Sequence, residues 1–259
     1  MLGDLGFDKT EEIAETSQSS IYRCFSGQEQ MILKQFKGSH FTPEKIAAIH
    51  HEYNIAKLID SDFVIKNYQL KRSSGQFGIL MEDIWGLSLH DYILETPFPL
   101  REFFSLAPKM VLAIEAIHQQ GFTHKDINPR NFVYNRSTGL LKVIDFGISE
   151  RLEHVPDKMM KTDLKVKGSI QYLAPEQTGR FSRVLDHRAD FYALGATFYE
   201  MLLGQAPFSA EDAMGYIHAH IALMPPSLSL EVPEIPKYLD RLILKLLAKD
   251  PDDRYQSTT

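Results

Sequence analysis

A small set of polar side chains in this 259-residue chain has the types and the order that phosphoryl transfer requires. Moving a phosphoryl group from a nucleotide needs a cation on the phosphates, oxygen ligands for Mg²⁺ and an acceptor for the proton of the nucleophile. Lys34 could supply the cation, with Glu52 as its ion-pair partner. Asp126 could accept or orient a hydroxyl proton, while Asn131 and Asp145 carry the hard oxygen atoms that Mg²⁺ prefers.

The first third of the chain must position Lys34 and Glu52, and its pattern predicts a small sheet with one helix. Short segments rich in β-forming residues and separated by turn residues run over 11–17, 19–26, 30–37, 66–73 and 76–83. Between the third and the fourth segment, Thr42 is a suitable N-cap and Pro43 a suitable first helical residue. We therefore predict an N-terminal lobe over residues 1–82.

The remainder, residues 83–259, is predicted to be a larger and mainly helical lobe, so the fold class is α+β. Apolar residues at helical spacing predict helices within 100–121, 209–223 and 236–250. The segment 189–204 is apolar nearly all round, which predicts a helix buried in the lobe core. The chain stops at "DRYQSTT" without a terminal cap or tail, and we interpret the lobe as truncated at its end.

Composition excludes several classes of protein. A formal net charge of −6 argues against nucleic acid as the main partner, because phosphate binding requires a basic face. No apolar run approaches the roughly 18 residues of a membrane helix, and the acidic N-terminus lacks the apolar core of a signal peptide. The lone Cys24 cannot form an internal disulfide, which fits a reducing compartment. These features predict a cytoplasmic protein that binds neither nucleic acid nor membrane.

The polar set belongs to a longer series of motifs that occur in a characteristic order. It includes "HKDINPRN" at 124–131, "DFG" at 145–147, "APE" at 174–176 and "DFYALG" at 190–195, followed by Arg254. With Lys34 and Glu52, this series resembles the eukaryotic-type protein kinase family over nearly the entire chain. The resemblance implies a two-lobed protein kinase fold that binds ATP and Mg²⁺ in its cleft, with Mn²⁺ as an alternative metal.

The resemblance also implies a role for each position. Lys34 would hold the α- and β-phosphates, anchored by Glu52, and Asp126 would be the catalytic base, with Asn131 and Asp145 as metal ligands. The adenine pocket and hinge would be formed by Ile21, Ile32, Met81, Glu82, Ile84 and Val133.

Further positions would support the site. Glu176 would pair with Arg254 and brace the activation segment, the stretch between the "DFG" and "APE" motifs. Asp190 would tie the buried helix to the catalytic loop, and His124 and Phe146 would stack in an internal hydrophobic spine.

A narrower resemblance concerns "HKDINP" and the segment from "YLAPEQTGRF" to "LLGQAPF". Both are similar to the N-terminal kinase domain of large bacterial hybrid signalling proteins, in which an AAA-like ATPase module, a GAF domain and a histidine kinase follow. This resemblance implies serine/threonine specificity and further signalling domains C-terminal to the chain. It identifies no protein substrate.

The phosphate-binding loop departs from the family pattern. The three glycine positions of that pattern are occupied by Ala14, Thr16 and Ser19. Glycine's access to positive φ and its close approach to phosphate are therefore lost. We expect weaker ATP binding, or a loop that closes differently.

Two further departures lie in the catalytic loop. Asn128, which we count among the catalytic positions, replaces a lysine that stabilises the transferring phosphate, and Arg130 could compensate only if it folded inward; a surface position is favoured. Lys125 replaces an arginine that would bind an activation-segment phosphate with two hydrogen bonds. Control by phosphorylation is thus less expected, with Thr162, Ser149 and Ser169 as the candidate sites.

Three functions are compatible with this pattern. The first is an ATP- and Mg²⁺-dependent protein serine/threonine kinase. It is favoured because the chain has the complete set of chemical groups, Lys34, Glu52, Asp126, Asn131 and Asp145. A pseudokinase, binding nucleotide and regulating attached domains without turnover, is favoured by the missing glycines and by Asn128. A small-molecule kinase of the choline or aminoglycoside type shares the Asp–Asn loop, but it generally lacks the "APE" segment and its arginine partner.

Overall fold

The computed structural model describes residues 6–38, 40–151, 169–180 and 185–258. These residues form a five-stranded sheet with one helix, followed by a mainly helical part, as the sequence predicts. The predicted lobe boundary after residue 82 stays a prediction. In the structure the fifth strand ends at Met81, and the next strand already pairs with the second part of the chain.

The N-terminal sheet is antiparallel throughout. Its strands are β1 Lys9–Glu15, β2 Ser19–Ser26, β3 Glu29–Phe36, β4 Asn67–Ser73 and β5 Gln76–Met81. They lie in the order β1-β2-β3-β5-β4, so that β3, which carries Lys34, occupies the centre of the sheet.

The single helix of this lobe, α1 (Pro43–Leu58), begins where the capping residues predict. The Thr42 hydroxyl accepts a hydrogen bond from the Lys45 N–H at 3.3 Å. One face of α1 packs on the sheet through Ile49, which joins Phe36, Phe77 and Ile79 in a small core. The other face of the sheet buries Cys24 with Leu33 and Leu80, so the lone thiol is a core residue.

The second part contains most of the helices and the main core. Its helices are α2 Leu89–Glu95, α3 Leu100–Gln119, α4 Arg188–Leu203, α5 Ala213–Ala222, α6 Leu228–Glu231 and α7 Lys237–Leu246. Its short strands are β6 Leu87–Ser88, β7 Phe122–Thr123, β8 Phe132–Asn135, β9 Leu140–Val143 and β10 Glu150–Arg151. Strands β6, β8 and β9 form one sheet, and β7 pairs with β10 in another.

Helix α4 is the centre of this core, as its apolar sequence predicts. Residues from Ala189 to Leu202 are buried along the helix. A side chain at Gly195 would place a Cβ only 2.7 Å from the Leu246 Cβ, so glycine allows α7 to approach α4 closely. Helix α3 ends just before Gly121, whose φ of 75° is the left-handed conformation typical of a helix C-terminus.

A cleft forms where the two parts meet, and backbone hydrogen bonds join them behind it. The segment between α1 and β4 runs alongside β9, with Val143 N–H donating to Phe63 and Ile65 N–H donating to Val143. The catalytic loop and the "DFG" motif leave the small sheets toward this cleft, and they face β3 and α1. No described helix is both long enough and apolar enough to cross a membrane.

Candidate active site

The register of the N-terminal sheet places the predicted nucleotide-binding residues on one face. Ile21 lies directly opposite Lys34, and Ile32 lies opposite Met81. Since Ile32 and Lys34 are two residues apart on β3, all four side chains point to the same side of the sheet. All four are half-buried, which is what residues lining a cleft show. Val133, on β8, is half-buried as well.

Lys34 pairs with Glu52, the partner that the sequence analysis assigned to it, and also with Asp145, which was predicted only as a metal ligand. Its Nζ lies 2.6 Å from Glu52 Oε1 on α1 and 3.1 Å from Asp145 Oδ2. Burial by itself lowers the pKa of Lys34, but Asp145 and Glu52 outweigh that effect, so its pKa is raised and it is protonated at neutral pH. The ion pair fixes α1 against the sheet, with the Lys34 cation at the cleft.

Glu52 is the member of this group that desolvation affects most. Burial raises its pKa to about 7, because Lys34 offsets only part of the cost of removing the carboxylate from water and the Asp145 charge adds to it. For Asp145, burial alone would raise the pKa, but Lys34 and the Gly147 N–H leave it lowered. Asp145 is therefore the more readily ionised of the two carboxylates.

The "DFG" motif is folded with its aspartate toward the cleft and its phenylalanine inward. Asp145 has a φ of 66°, an uncommon conformation for a non-glycine residue, and its Oδ1 accepts the Gly147 N–H at 3.2 Å. The Phe146 ring is buried, with its centroid 5.0 Å from that of His124. The predicted contact between these two rings is present.

The catalytic loop is anchored from below by Asp190 on α4. Its carboxylate is fully buried and accepts the backbone N–H groups of His124 and Lys125, each at 2.8 Å, while His118 Nε2 lies 2.8 Å away. Burial by itself raises the pKa of Asp190, but hydrogen bonding to His118 outweighs it and the pKa is lowered. The tie predicted between the buried helix and the loop is thus a set of charge-assisted hydrogen bonds.

Asp126 is oriented by two amide side chains, one on each carboxylate oxygen. Asn128 Nδ2 lies 3.0 Å from Asp126 Oδ1, and Asn131 Nδ2 lies 2.9 Å from Oδ2. Both amides also donate to the Asp126 backbone carbonyl. Asn128 Oδ1 in turn accepts the Arg130 N–H at 2.9 Å and caps the 3-10 turn Pro129–Asn131.

Asn128 therefore acts on the catalytic carboxylate and does not take over the charge of the lysine that it replaces. It is buried, whereas Arg130 is exposed, the surface position that the sequence analysis favoured. The positioning role of Asn128 was not foreseen. The sequence signal for it was an amide two residues after Asp126, at the N-cap of a Pro-initiated turn.

Lys125 has a partner of its own in the structure. Its ammonium forms an ion pair with Glu150 on β10, and the Lys125 side chain is mostly buried. The neighbouring Ser149 is buried and its hydroxyl donates to the His124 carbonyl, so its hydroxyl is not presented for modification. Thr162 and the side chain of Ser169, the other candidate phosphorylation sites, lie outside the described residues.

The phosphate-binding turn between β1 and β2 is closed by a side chain. Thr16 Oγ1 accepts the N–H groups of Ser19 at 2.9 Å and Gln18 at 3.2 Å, and it donates to the Ser19 carbonyl. Lys37 contacts the Thr16 carbonyl at 2.6 Å from the neighbouring strand. N–H groups at the tip of this turn are therefore satisfied internally, a consequence of Thr16 that the glycine count alone does not reveal.

Two hinge residues have structural partners that the sequence analysis did not anticipate. The Glu82 carboxylate accepts the Lys66 N–H at 2.6 Å and pairs with Lys142 at 2.7 Å, so this side chain is not directed at a ligand. The Ile84 carbonyl accepts the Asn135 amide at 2.7 Å. Lys142 on β9 and Asn135 on β8 are far from the hinge in sequence, so the sequence did not reveal them as partners.

The brace predicted for the activation segment is present. Arg254 donates to both oxygens of Glu176, at 2.6 and 2.8 Å, and neither side chain is exposed. Arg254 also donates to the backbone carbonyls of Ala248, Arg188 and Lys249. A buried ion pair needs such additional hydrogen bonds to offset the cost of its desolvation.

The oxygen atoms at the base of the cleft fit a divalent metal of the Mg²⁺ type. Because Asn131 uses its Nδ2 on Asp126, its Oδ1 is left without a hydrogen-bond donor among the described residues. Within the same residues, no group of three or more His, Cys, Asp or Glu side chains is arranged to hold a metal. A site with one amide and one carboxylate suits Mg²⁺, which usually completes its shell with phosphate and water.

Comparison with known proteins agrees with this geometry. The family model described as "Protein kinase domain" matches residues 7–259. The chain belongs to this family. The family brings with it ATP, a divalent metal and a protein substrate, and it excludes the small-molecule kinase alternative.

Curated relatives of this kinase domain come from several bacteria. Serine/threonine-protein kinase Pkn1 of Myxococcus xanthus is 32% identical over 225 residues, which are 85% of this chain and 32% of Pkn1. Serine/threonine-protein kinase PrkC of Bacillus subtilis is 32% identical over 215 residues, 83% of this chain and 32% of PrkC. The chain thus spans about a third of the length of these relatives.

Proposed function

We propose that this domain is an active serine/threonine kinase that transfers the γ-phosphoryl group of ATP to protein hydroxyls. The observation that carries the proposal is the intact constellation around Lys34, which contacts Glu52 and Asp145 while Asp126 is held on both oxygens by amides. The curated relatives Pkn1 and PrkC are named serine/threonine-protein kinases, which supports the same specificity here.

In this proposal each side chain has a defined task. Lys34 binds the α- and β-phosphates, and Glu52 keeps its ammonium in place. Ile21, Ile32, Met81 and Val133 enclose the adenine, and the backbone from Glu82 to Ile84 contacts its edge. Asp126 orients the acceptor hydroxyl and takes its proton, with the carboxylate preset by Asn128 and Asn131. Asn131 and Asp145 hold Mg²⁺, which neutralises charge on the phosphates when it is bound.

The rate of this kinase should reflect the missing lysine. Removing one donor that stabilises transition-state charge costs about 2.7–4 kcal/mol in enzymes of other kinds. Asn128 is neutral and already donates its amide to Asp126, so it cannot replace the transition-state stabilisation that the lysine charge would provide. The orienting hydrogen bond offsets part of the cost by fixing the catalytic base before the substrate arrives.

A pseudokinase is the second candidate, and one observation favours it. The N–H groups of Gln18 and Ser19, which lie at the tip of the phosphate turn, are already bonded to Thr16. The curated relatives oppose it, since they are named as kinases. Turnover, not nucleotide binding, distinguishes the two candidates.

The proposal extends to the protein that contains the domain. Since the chain spans about a third of its curated relatives, we expect further signalling domains C-terminal to it, in a cytoplasmic bacterial protein. Mg²⁺ is the expected metal and Mn²⁺ the alternative.

The test is phosphate transfer from labelled ATP with Mg²⁺ or Mn²⁺, using acidic and basic generic protein acceptors. Label on serine or threonine, abolished by both Asp126→Asn and Asp145→Ala, establishes the proposal. Absence of transfer with both metals, despite measurable nucleotide binding, establishes the pseudokinase. A circular dichroism spectrum identical to that of the unmodified domain serves as the control for each variant.

A further inference from the structure

Arg130 presents a positive charge to solvent from within the catalytic loop. It lies on the 3-10 turn Pro129–Asn131, where both neighbours are buried but Arg130 itself is exposed. Its side chain makes no hydrogen bond or ion pair with any residue that the structure describes. By contrast, Arg254 and Arg23 each pair with a carboxylate. The turn is fixed by Asn128, so this guanidinium projects from a rigid base.

The surroundings of Arg130 are built from three other elements. Tyr172, in the "APE" region, donates its hydroxyl hydrogen to Glu200 on α4, and both side chains are buried. His90 on α2 lies 3.9 Å from Glu200, and its buried Nδ1 has no hydrogen-bond partner among the residues that the structure describes. These groups form a polar wall beside the exposed guanidinium.

Helix α2 packs against the turn Pro129–Asn131, and the Arg130 charge acts on the pKa of Tyr172, His90 and Glu200, so these side chains lie near Arg130. Burial raises the pKa of Tyr172 most, and Arg130 and Asp126 both act on the same hydroxyl, in opposite directions. Burial lowers the pKa of His90, and Arg130 lowers it further. The imidazole is therefore neutral near pH 7 and adds no positive charge that would compete for an anion.

The charge that a substrate meets here is that of Arg130. Glu200 is the acidic group of this wall, but one of its oxygens accepts the Tyr172 hydroxyl and its side chain is only 9% exposed. A buried and hydrogen-bonded carboxylate attracts an incoming peptide less than an exposed guanidinium does. The surface is thus suited to a carboxylate or a phosphate, either of which arginine can bind with two hydrogen bonds.

We propose that Arg130 forms a subsite for an anionic residue of the protein substrate, placed close to the phosphorylated hydroxyl. Arg130 lies four positions after Asp126, which limits their Cα separation to about 15 Å. An extended peptide advances about 3.3 Å per residue, so the anionic residue lies within about four or five positions of the acceptor serine or threonine. The inference rests on the proposed kinase activity and specifies its substrate class.

The experiment compares peptides that share one acceptor serine and carry alanine, glutamate, phosphoserine or lysine at a single neighbouring position, scanned over four positions on each side. We expect kcat/KM to be about fivefold to tenfold higher for glutamate or phosphoserine than for alanine at one or two positions, and lowest for lysine. Arg130→Gln should remove this difference, and Arg130→Glu should reverse it. The readout is the ratio of kcat/KM for the glutamate and alanine peptides within each variant, so a general loss of activity in a variant does not mimic the effect. A preference for phosphoserine without one for glutamate would identify phosphate as the recognised group.

A matched control and a binding assay keep the subsite separate from the kinase activity. Arg101→Glu changes an exposed arginine on α3 and should leave the preference intact. Equilibrium binding of the labelled glutamate and lysine peptides to the Asp126→Asn domain, with a non-hydrolysable ATP analogue, reports the subsite without turnover. Peptide discrimination that Arg130→Glu reverses supports the subsite even if turnover is absent, which would overturn only the kinase proposal. Turnover with equal kcat/KM for all peptides, or a lysine preference, overturns the subsite.

Discussion

At the scale of single residues, two side chains determine how this catalytic centre works. Asn128 replaces a cation with a hydrogen-bond donor and aims it at Asp126 Oδ1. Glu52 is ionised at a cost, because it is buried between Lys34 and the cleft. In the proposed mechanism, Asn128 orients the catalytic base Asp126, and Glu52 sets the pH at which its ion pair with Lys34 is complete.

Asn128→Asp tests the orienting role of Asn128. Aspartate keeps the N-cap acceptor for the Arg130 N–H, but it replaces a donor with a charge that repels Asp126. We expect kcat to fall about tenfold to a hundredfold, with KM for ATP nearly unchanged and the melting temperature within a few degrees. The charge of the new aspartate should also make Asp126 harder to ionise, which shifts the ascending limb of the kcat–pH profile to higher pH. A purely structural defect would not produce this shift, so it is the diagnostic measurement. Unchanged kcat would exclude the orienting role.

Glu52→Gln tests the pH dependence. Because the pKa of Glu52 in the folded state, about 7, exceeds the ordinary glutamate pKa of 4.5, the folded state holds a proton that the unfolded state releases between these values. The contribution of Glu52 to the free energy of unfolding is therefore lost as the pH rises through about 7, by roughly 1–3 kcal/mol.

The activity of the unmodified domain should rise as the pH passes through 7, because Glu52 ionises and then holds Lys34. Over the same range, the contribution of Glu52 to the free energy of unfolding should fall. Glu52→Gln should be less active at all pH values, and its activity should not rise through pH 7. Its melting temperature relative to the unmodified domain should increase from pH 5 to pH 8. A difference that is constant with pH would contradict the raised pKa of Glu52.

At the scale of elements, the turn between β1 and β2 replaces a glycine-rich phosphate loop by a hairpin that Thr16 closes. The Thr16 hydroxyl accepts hydrogen bonds from the N–H groups of Gln18 and Ser19, which would otherwise be available to phosphates. The strands on either side keep their pairing up to Glu15 and Ser20. The element is therefore ordered before nucleotide arrives, at the expense of donors for the phosphates.

Thr16→Val tests this exchange, because valine has nearly the same shape and β-propensity but no hydroxyl. We expect the KM for ATP to fall about twofold to fivefold as the two N–H groups become available, and the domain to lose about 1 kcal/mol of stability. Ser17→Ala, at the tip of the same turn, is the control and should change neither quantity. A rise in KM instead would show that Thr16 holds the turn in the shape that binds ATP.

At the scale of the whole molecule, ion pairs between distant segments hold the active arrangement together. Lys34, Glu52 and Asp145 join β3, α1 and the "DFG" motif across the cleft. His51 Nε2, also on α1, lies 2.6 Å from the Ser149 carbonyl. Glu176 and Arg254, 78 positions apart in sequence, join the "APE" motif to the segment that follows α7.

Glu176→Gln should reveal how strongly that last pair is required. Leaving the Arg254 guanidinium buried without its carboxylate is expected to cost about 3–5 kcal/mol, which lowers the melting temperature by roughly 10 °C. The matched control is Glu102→Gln, whose partner Arg136 is partly exposed, and it should cost less than about 1 kcal/mol. Equal losses in the two variants, measured by thermal denaturation, would contradict the energetic role of burial.

Local pattern predicts most of the fold because the determinants are local. The Thr42–Pro43 cap starts α1, Gly121 follows the end of α3, and the apolar run of α4 is buried as expected. The resemblance to the kinase family also predicts the ion pairs Lys34–Glu52 and Glu176–Arg254, both of which are present. The partners of Lys125 and Glu82 were not predictable, since each is a single charged residue whose neighbour depends on how two strands meet.

Residue type, order and period along the chain were enough to predict the fold class, the family and the chemical groups of the site. Three features emerge only from the folded chain: Asn128 donates to Asp126, Thr16 closes the turn between β1 and β2, and Arg130 is left exposed near the Tyr172–Glu200 pair. Hydrogen bonds depend on distances within a few tenths of an ångström, and burial depends on what packs against a side chain. Neither hydrogen-bond distances nor burial can be predicted from the spacing of residues along the chain.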